Sequence, residues 1–435
     1  MSRTIAAPSS LETSLYRKIG WRLLPFILLC YLICYLDRVN MSFGKLQFVK
    51  DLNLTDAQYG LAAALFYVTY TLFDIPSNLV LARIGVRKTL ARIMILWGTF
   101  GALQMFIQSA PQLYVLRLLF GAAEAGFIPG IMLYLTYWFP NALRGRVTSI
   151  FLLGLPISGM IGAPISGAIM QNMHDVLGFR GWQWLFLLEA LPAIVVGAIA
   201  FFYLEDSPAH AKWLSSEEKA RLTGALADDH ARSASTSSQS LRGILRDPRL
   251  YLLALVNFAA NCVINAVNFW TPSILKSVGV SNVSHIGWLT SGMSTAAAIG
   301  MVLFCYSSDR AMERRLHYTV AALLVAGGLF FLPMAQHSIA GTVALMMFAT
   351  IGSFSLLALY WTIPTSYFRG KGAAGGIAFV SMAGAAGGFV SPLVIGWLKV
   401  QTGTLYNGML VMSAIALTGI VLVWACLPRE KVAQR

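Results

Sequence analysis

Residues 23–43 read LLPFILLCYLICYLDRVNMSF, an apolar run interrupted by the adjacent charges of Asp37 and Arg38. A run of about 20 apolar residues is long enough to cross the hydrocarbon core of a bilayer as a helix. In a soluble protein, the two charged residues would lie at a helix end in water. In a membrane helix each is costly unless it is paired or hydrated, so an ionisable residue there is a functional candidate. The composition of the whole chain decides between these cases.

The chain is far more apolar than a soluble domain. Of its 435 residues, 57% are hydrophobic and 11% are charged, and the mean hydropathy is +0.67, whereas soluble domains contain about 25% charged residues. Stretches long enough to span a membrane occur at 20–42, 57–81, 89–109, 112–138, 147–170, 184–204, 250–275, 285–307, 316–335, 341–366, 373–398 and 405–427. We therefore predict an all-α integral membrane protein with twelve transmembrane helices.

A polar segment from residue 205 to 247 divides the predicted spans into two sets of six. Its middle, SSEEKARLTGALADDHARSASTSSQS, is typical of a short amphipathic helix followed by a flexible serine-rich stretch. The halves are weakly similar at an offset near 227 residues, since ARIGVRK at 82–88 corresponds to DRAMERR at 309–315. We predict an N-terminal bundle at 1–204, a cytoplasmic linker at 205–247 and a C-terminal bundle at 248–435. Duplicated halves of this kind are typical of transporters that rock one half against the other.

The positive charge is distributed asymmetrically along the chain. Of the 32 Lys and Arg residues, 25 lie on the side of the two termini, and five lie on the opposite side: Lys45, Lys50, Arg180, Lys276 and Lys399. The positive-inside rule then puts both termini in the cytoplasm, which agrees with an even number of spans. Topology thus explains the net charge of +14, and no nucleic-acid partner is expected. We expect a monomer in the lipid bilayer of the cell (inner) membrane.

All five cysteines lie within predicted spans: Cys30, Cys34, Cys262, Cys305 and Cys426. Their distribution favours packing inside the bundles over disulfide bonds or a zinc site. The sequence therefore predicts no metal and no bound cofactor.

Six stretches of the chain form a recognisable set: YLDRVNMSFGKL (35–46), IPSNLVLARIGVRK (75–88), LYVLRLLFGAAEAGFIPGIMLYLTYWFP (113–140), GWQWLFLLEALP (181–192), FWTPSIL (269–275) and SPLVIGWL (391–398). With them the chain resembles the major facilitator superfamily, and in particular its organic anion:proton symporters, which include tartrate, sugar-acid and 4-hydroxyphenylacetate permeases. The resemblance covers nearly the whole chain. It implies the major facilitator fold, with two six-helix bundles, and import of an organic anion with protons by alternating access.

The loop after the second span departs from the pattern of the wider superfamily. Asn78 and Ala82 stand where that pattern has Asp, whereas the corresponding loop after the eighth span keeps its Asp-Arg pair. The gating residues that the resemblance implies are Arg83, Arg87, Asp309 and Arg310.

Four ionisable residues lie at membrane depth, away from the predicted helix ends: Asp37, Arg38, Arg117 and Glu124. Together they are electrically neutral. At 3.6 residues per turn, Arg117 and Glu124 share one face of the fourth span with Gly121, which would leave an open groove between them. On the first span, Asp37 points about 100° away from Arg38. An acid and a base that face different ways can serve different ligands.

The chemistry of these residue types suits an anion site coupled to protons. A guanidinium donates bidentate hydrogen bonds to a carboxylate and stays charged, while a buried carboxyl changes its protonation in response to neighbouring charge. In the family that the chain resembles, residues at the positions of Asp37 and Glu124 handle the coupling proton, and arginines at the positions of Arg38 and Arg117 support the anion site. The alternative is a salt-bridged lock between the first and fourth spans with no role in substrate binding.

Two further acids, Asp74 and Glu189, lie toward the ends of predicted spans. Hydrogen bonding or pairing with loop arginines is expected for them in preference to proton coupling. The six histidines also lie in predicted loops or at span ends, so none is predicted to be a proton relay.

Polar residues on the seventh span are candidates for the opposite wall of a substrate cavity. Asn261, Asn265 and Asn268 follow one another at i, i+4 and i+7, which puts them on one helix face. Hydrogen bonding between helices is the alternative role for this stripe. The predicted substrate-binding set is completed by four aromatic side chains, for which simple packing is the alternative: Tyr35, Tyr70, Tyr360 and Trp361.

The sequence thus predicts a proton-coupled symporter that imports a small organic carboxylate. A uniporter or anion exchanger of the same fold is the first alternative, and a polytopic membrane enzyme is the second. The loops contain no metal cluster or nucleophile and base pair that would support the enzyme. Ser381 and Ala385 stand where relatives often have Asn, so we expect a small or aromatic carboxylate in preference to a polyhydroxylated sugar acid.

Overall fold

The fold is seen in a computed structural model that describes residues 10–235, 241–367 and 373–426. Within these ranges the regular structure is helical and contains no β-strand. The α-helices are α1 (Ser10–Asp51), α2 (Asp56–Ile84), α3 (Val86–Leu103), α4 (Ala110–Glu124), α5 (Phe127–Trp138), α6 (Asn141–Leu152), α7 (Gly154–Asn172), α8 (Gly181–Tyr203), α9 (Ser216–Ser235), α10 (Leu241–Leu245), α11 (Pro248–Ser277), α12 (Val283–Ala311), α13 (Arg315–Phe330), α14 (Ile339–Tyr367), α15 (Ala373–Thr402) and α16 (Tyr406–Cys426). The predicted all-α class is confirmed.

Each predicted membrane span corresponds to one helix or to two consecutive helices. In the described part of the chain, ten stretches have the length and hydropathy of a membrane span. The remaining two predicted spans correspond to α6 with α7, and to α13, which is 16 residues long. A 3-10 turn at Leu332–Ala335 follows α13. The main error of the sequence prediction is at the ends: α1 extends beyond 20–42 in both directions, because its polar ends are also helical.

The fourth span is broken between α4 and α5. Gly126 has φ = 85°, in the left-handed region that favours glycine. Its backbone N–H has left the helical pattern and donates instead to Oδ1 of Asp74, at 3.1 Å. A buried N–H without an acceptor would be destabilising, so Asp74 of α2 stabilises the break through a hydrogen bond.

The helices form two six-helix bundles with the same internal contacts. In the first bundle, α1 packs against α7 and α8, α2 against α4, and α3 against α8. In the second, α11 packs against α15 and α16, α12 against α14, and α13 against α16. The bundles meet where α2 packs against α15 and where α7 packs against α12. This repeated arrangement creates two long interfaces around the centre of the molecule.

The polar segment between the bundles contains α9, which is tied to the first bundle. Nζ of Lys18 lies 2.9 Å from Oε1 of Glu218, and its hydrogen bond holds the pKa of Glu218 below its usual value. Arg144 donates to Asp229 at 2.7 Å, and the rings of Trp138 and Trp213 stack nearby. Residues 236–240 of the predicted serine-rich stretch lie outside the described residues. The predicted linker boundaries at 205 and 247 remain a proposal.

Close backbone contacts hold the bundles together on the side opposite the termini. A Cβ atom on Gly60 would lie 2.4 Å from the carbonyl oxygen of Pro392, and one on Gly287 would lie 2.4 Å from that of Ala163. Small residues permit this approach, and van der Waals packing is the main attraction between helices in lipid. The two glycines therefore allow α2 to meet α15 and α12 to meet α7.

Replacing Gly60 by Ala should separate α2 from α15, because its methyl group cannot occupy the same space as the Pro392 oxygen. Overpacking of this kind costs about 1–3 kcal/mol, so we expect the apparent melting temperature of the purified protein to fall by several degrees. Gly292→Ala is the matched control, since a Cβ there meets nothing within 4 Å. Equal melting temperatures for the two variants would contradict the proposed tight contact.

Candidate functional site

Two adjoining cavities lie between the bundles, each about 490 Å³ in volume. Both are bordered by Tyr35, Val39 and Asn268. The one that we call the central cavity is also lined by Arg38, Tyr67, Asn261, Ile264, Asn265, Phe269 and Leu357. Among the described residues that line the two cavities, Arg38 alone is ionised. The central cavity thus combines one guanidinium on α1 with carboxamides on α11.

Arg38 is held at the cavity by an ion pair with Glu124 of α4. Its Nε donates to Oε1 of Glu124 at 2.8 Å, and its Nη2 donates to the same oxygen. The Cys34 thiol adds a third contact at 3.1 Å. The guanidinium also lies about 5 Å from the ring centres of Tyr35 and Tyr70. The Glu124 side chain is 1% exposed and that of Arg38 is 13% exposed, so the base reaches the cavity and the acid lies behind it.

Arg117 lies deeper in the first bundle than Arg38 and does not line either cavity. It is 1% exposed, and its guanidinium lies 5.1 Å from the ring centre of Phe66 and 5.3 Å from that of Phe120. Its three side-chain nitrogens have no hydrogen-bond partner among the described residues. Since unpaired buried donors are destabilising, Arg117 is suited to receive an acceptor.

Gly121 does not leave the open groove that the sequence predicts between Arg117 and Glu124. A Cβ atom on Gly121 would lie 2.3 Å from the Phe66 oxygen and 2.5 Å from Oγ1 of Thr69. The prediction was wrong because helical spacing describes α4 alone, whereas the backbone of α2 packs directly against this glycine. Its role is close contact between α2 and α4.

Asp37 faces away from Arg38, as the helical spacing indicates. Its Oδ2 accepts a hydrogen bond from Nε1 of Trp97 on α3 at 2.8 Å, and its Oδ1 accepts one from Nδ2 of Asn40 at 3.3 Å. The residue is 1% exposed and does not line either cavity. Adjacent residues of α1 therefore have separate surroundings, with the base at the cavity and the acid inside the bundle.

The asparagines of α11 form a chain of hydrogen bonds at the wall of the cavity. Nδ2 of Asn265 donates to the Asn261 carbonyl at 2.8 Å, and Nδ2 of Asn261 donates to the Asn257 carbonyl at 3.0 Å. Tyr67 of α2 reaches across the bundles and donates to Oδ1 of Asn265. The sequence analysis missed Tyr67, although its position three residues before Tyr70 puts both on nearly the same helix face.

Two predicted aromatic walls of the cavity are wrong. Tyr360 is buried in the second bundle, where its hydroxyl donates to the Leu253 carbonyl at 2.9 Å. Trp361 packs against Tyr360, with ring centres 5.6 Å apart, and lines neither cavity. Both residues face α11 and the core of their own bundle. Tyr70 also lies outside the two cavity linings but remains beside Arg38.

The predicted gating residues lie on the side of the termini and make contacts within their own bundles. The backbone N–H of Arg87 donates to Asp206 at 2.9 Å, and Asp309 is paired with Arg314. Arg83 and Arg310 are exposed. Their assignment as gates remains a prediction.

An ionic contact between the bundles lies on the opposite side. Asp56 of α2 is 2.7 Å from Nζ of Lys45 and 2.8 Å from Nζ of Lys399 of α15. Nζ of Lys45 also lies 3.6 Å from the ring centre of Trp270 on α11. The sequence analysis put Lys45 in a loop, but α1 continues to Asp51 and the residue is 5% exposed. This network closes the opposite side across both bundles.

Comparisons with known proteins agree with this architecture. Residues 27–379 match the Major Facilitator Superfamily. The chain is 41% identical to the metabolite transport protein NicT, itself a candidate assignment, of Pseudomonas putida KT2440, over 95% of this chain and 94% of the relative. It is 42% identical to a candidate tartrate transporter of Agrobacterium vitis, over 94% of each chain. A quinolone resistance transporter of Acinetobacter baumannii is 36% identical over 97% of each chain.

Solved structures show the same fold at low sequence identity. The D-xylose-proton symporter superposes with a TM-score of 0.77 at 15% identity, over 94% of this chain and 98% of the other. A bacterial homologue of the human lysosomal transporter Spinster gives a TM-score of 0.74 at 15% identity, over 94% and 97%. The twelve spans, the two bundles with a cavity between them, and these matches lead to one conclusion. The chain is a multi-pass membrane transporter, not an enzyme, and belongs to the major facilitator superfamily.

Proposed function

We propose that the protein imports a small organic carboxylate together with protons by alternating access. The observation that carries this proposal is the ion pair between Arg38 and Glu124 at the edge of the central cavity. A carboxylate that enters the cavity meets Arg38 as its positive charge and competes with Glu124 for the same guanidinium. Substrate binding and the charge state of Glu124 are thereby linked.

The chemistry of the cavity supports an anionic substrate with further polar groups. Arg38 supplies a guanidinium, which binds carboxylates with bidentate geometry. Asn261 and Asn265 line the same cavity from the other bundle and carry carboxamides. The printed name of the Agrobacterium vitis relative, a tartrate transporter, supports a carboxylate as the substrate class. Contacts to both bundles would let the substrate respond to their relative movement.

Coupling to protons follows from the cost of an unpaired carboxylate inside the bundle. If a substrate draws Arg38 away, Glu124 loses its cation in a site that is 1% exposed. Breaking a buried ion pair and leaving one charge behind costs about 3–5 kcal/mol, so protonation of Glu124 is the favourable response. One anion and one proton then enter together, and by linkage each raises the affinity for the other.

Other parts of the molecule support alternating access. On the side opposite the termini, the bundles are joined through Asp56 and Lys399. We propose that the termini lie in the cytoplasm, so that this closed side faces outward and the substrate is released on the cytoplasmic side. Uniport and anion exchange on the same fold are the alternatives. Uptake driven by an imposed pH gradient without internal substrate would distinguish symport from both.

Replacing Arg38 or Arg117 by Gln should weaken binding of a carboxylate substrate at least about 10-fold, because each variant loses a charge-assisted hydrogen-bond donor. Lys at either position should recover part of the affinity, since it restores the charge and not the planar fork. Binding would be measured by calorimetry on folded protein. Arg221→Gln, on the exposed surface of α9, should bind like the wild type. Near-normal affinity in both membrane variants would put the anion site elsewhere.

Glu124→Gln should separate substrate exchange from proton coupling. The amide imitates the protonated acid, so counterflow of labelled substrate should persist in proteoliposomes. Accumulation driven by a pH gradient should be lost, because the amide cannot release a proton. Asp37→Asn should lose accumulation in the same way if Asp37 also carries a proton. Full gradient-driven accumulation by Glu124→Gln, at the level of the surface control Glu217→Gln, would remove Glu124 from the proton path.

The substrate preference can be tested by competition. Ser381 and Ala385, on which the sequence-based preference rested, do not line either cavity. The rings of Tyr35, Tyr67 and Phe269 do line the central cavity and favour a small or aromatic carboxylate. Among tartrate, galactonate, 4-hydroxyphenylacetate and phthalate, we expect galactonate to compete least. Tightest binding by galactonate would refute the preference.

A further inference from the structure

Glu189 is a third acid inside the first bundle. The sequence suggested a position near a helix end, but the residue lies two turns inside α8, which packs along α1, α3 and α7. It is 3% exposed, and Oγ of Ser166 donates to its Oε1 at 2.6 Å. It makes no ion pair among the described residues. Pairing with a loop arginine, the role expected for it, is therefore wrong.

Asn40 lies between Glu189 and Asp37. Its Nδ2 donates to Oδ1 of Asp37 at 3.3 Å, and its side chain also interacts with the carboxyl of Glu189. Two atoms at this junction, Oδ1 of Asn40 and Oε2 of Glu189, are buried and have no hydrogen-bond partner in the described part of the chain. Both are acceptors when Glu189 is ionised. Two acceptors cannot satisfy each other unless one of them carries a proton.

The chemistry of the amide limits the number of protons in this group. A carboxamide has an NH₂ end that donates and an oxygen that accepts. It can serve one carboxylate through the NH₂ and one carboxylic acid through the oxygen. With Asp37 ionised, the bond from Asn40 is made as observed, and a protonated Glu189 would donate to the amide oxygen. Rotation of the amide by half a turn reverses the two roles, so the arrangement is satisfied by a single proton.

The remaining neighbours of Glu189 do not supply a competing charge. The segment of α7 presents Ser166 and contains no ionisable residue, and the 3-10 turn at Gln104–Phe106 contains none. The basic residues of α3 lie in its first two turns, and Arg92 donates there to Ser77. Asp37 is the charged group recorded beside Glu189, while Asp37 itself also responds to Glu124 and Arg117. Ionisation of both carboxyls would put two unpaired negative charges together.

We propose that Asp37, Asn40 and Glu189 share one proton, with Glu189 holding it whenever Asp37 is ionised. Glu189 is thus a positioning residue for the proton of Asp37, and the proposal rests on the proton-coupled function proposed above. Only O–H bonds change: one carboxyl releases its proton to water that enters during the transport cycle, the amide rotates, and the other carboxyl takes up a proton. The net charge of the group is the same in both states.

Glu189→Gln tests this arrangement through the pH profile of uptake. The Gln amide can donate to Oδ1 of Asn40, as the protonated acid would, and so fixes the amide in the orientation that favours ionised Asp37. Protonation of Asp37 then needs a higher proton concentration. The pH of half-maximal gradient-driven uptake should therefore fall by about one unit, which corresponds to the loss of one hydrogen bond. Glu218→Gln, on the surface of α9, should leave the profile unchanged.

A second variant tests the route through the amide. In an Asn40→Leu background the two carboxyls are no longer bridged, so adding Glu189→Gln should shift the profile no further. An equal shift with and without Asn40 would overturn the proposed bridge. An unchanged profile in Glu189→Gln would show that Glu189 is only structural and would overturn the proposal.

Infrared spectroscopy tests the proton itself without any transport. The difference spectrum between the wild type and Glu189→Gln at neutral pH should contain a carboxylic acid C=O band that belongs to Glu189. Absence of that band would overturn the shared proton even if uptake is proton-driven. If wild-type uptake does not respond to a pH gradient, symport fails, while the band still decides whether Glu189 holds a proton.

Discussion

The buried ion pair between Arg38 and Glu124 is the interaction around which the rest of the site is arranged. A lone charge at membrane depth is strongly destabilising, so the base on α1 and the acid on α4 fix the distance between these two helices. Their pairing leaves Arg38 facing the cavity and Glu124 behind it. A ligand that enters between the bundles can therefore change the charge balance of the first bundle by contact with a single guanidinium.

The two sides of the molecule are stabilised by different interactions. On the side opposite the termini, glycines such as Gly60 and Gly287 allow backbone contact between the bundles, and Asp56 links them to Lys399. On the side of the termini, the recorded ionic contacts of Asp309 and Asp206 stay within one bundle. Opening of the first side must separate both close packing and an ionic bridge, so its opening needs an opposing gain in free energy. Binding to residues of both bundles at the central cavity is a physical source for that gain.

The first bundle contains three buried acids and two buried arginines at membrane depth, where the sequence suggested a balance of two and two. Glu124 has Arg38 as its partner, whereas Asp37 and Glu189 have neutral donors, Trp97 and Ser166. Hydrogen bonds from neutral groups stabilise a carboxylate less than a cation does. A proton is the simplest additional cation for this group, which is why proton chemistry is concentrated in the half of the chain that also carries the anion site.

The sequence by itself determined the twelve spans, their division into two sets and the faces that residues share within one helix. These follow from apolar length and from a rotation of about 100° per residue, which are local properties. It separated Asp37 from Arg38 and aligned Asn261 with Asn265 for that reason. Only the tertiary structure decided which helix each face meets. The partner of Arg38, the burial of Lys45 and Glu189, the contact of α2 with Gly121 and the turn of Tyr360 and Trp361 away from the cavity depend on how neighbouring helices are rotated and packed, and no spacing within one helix contains that information.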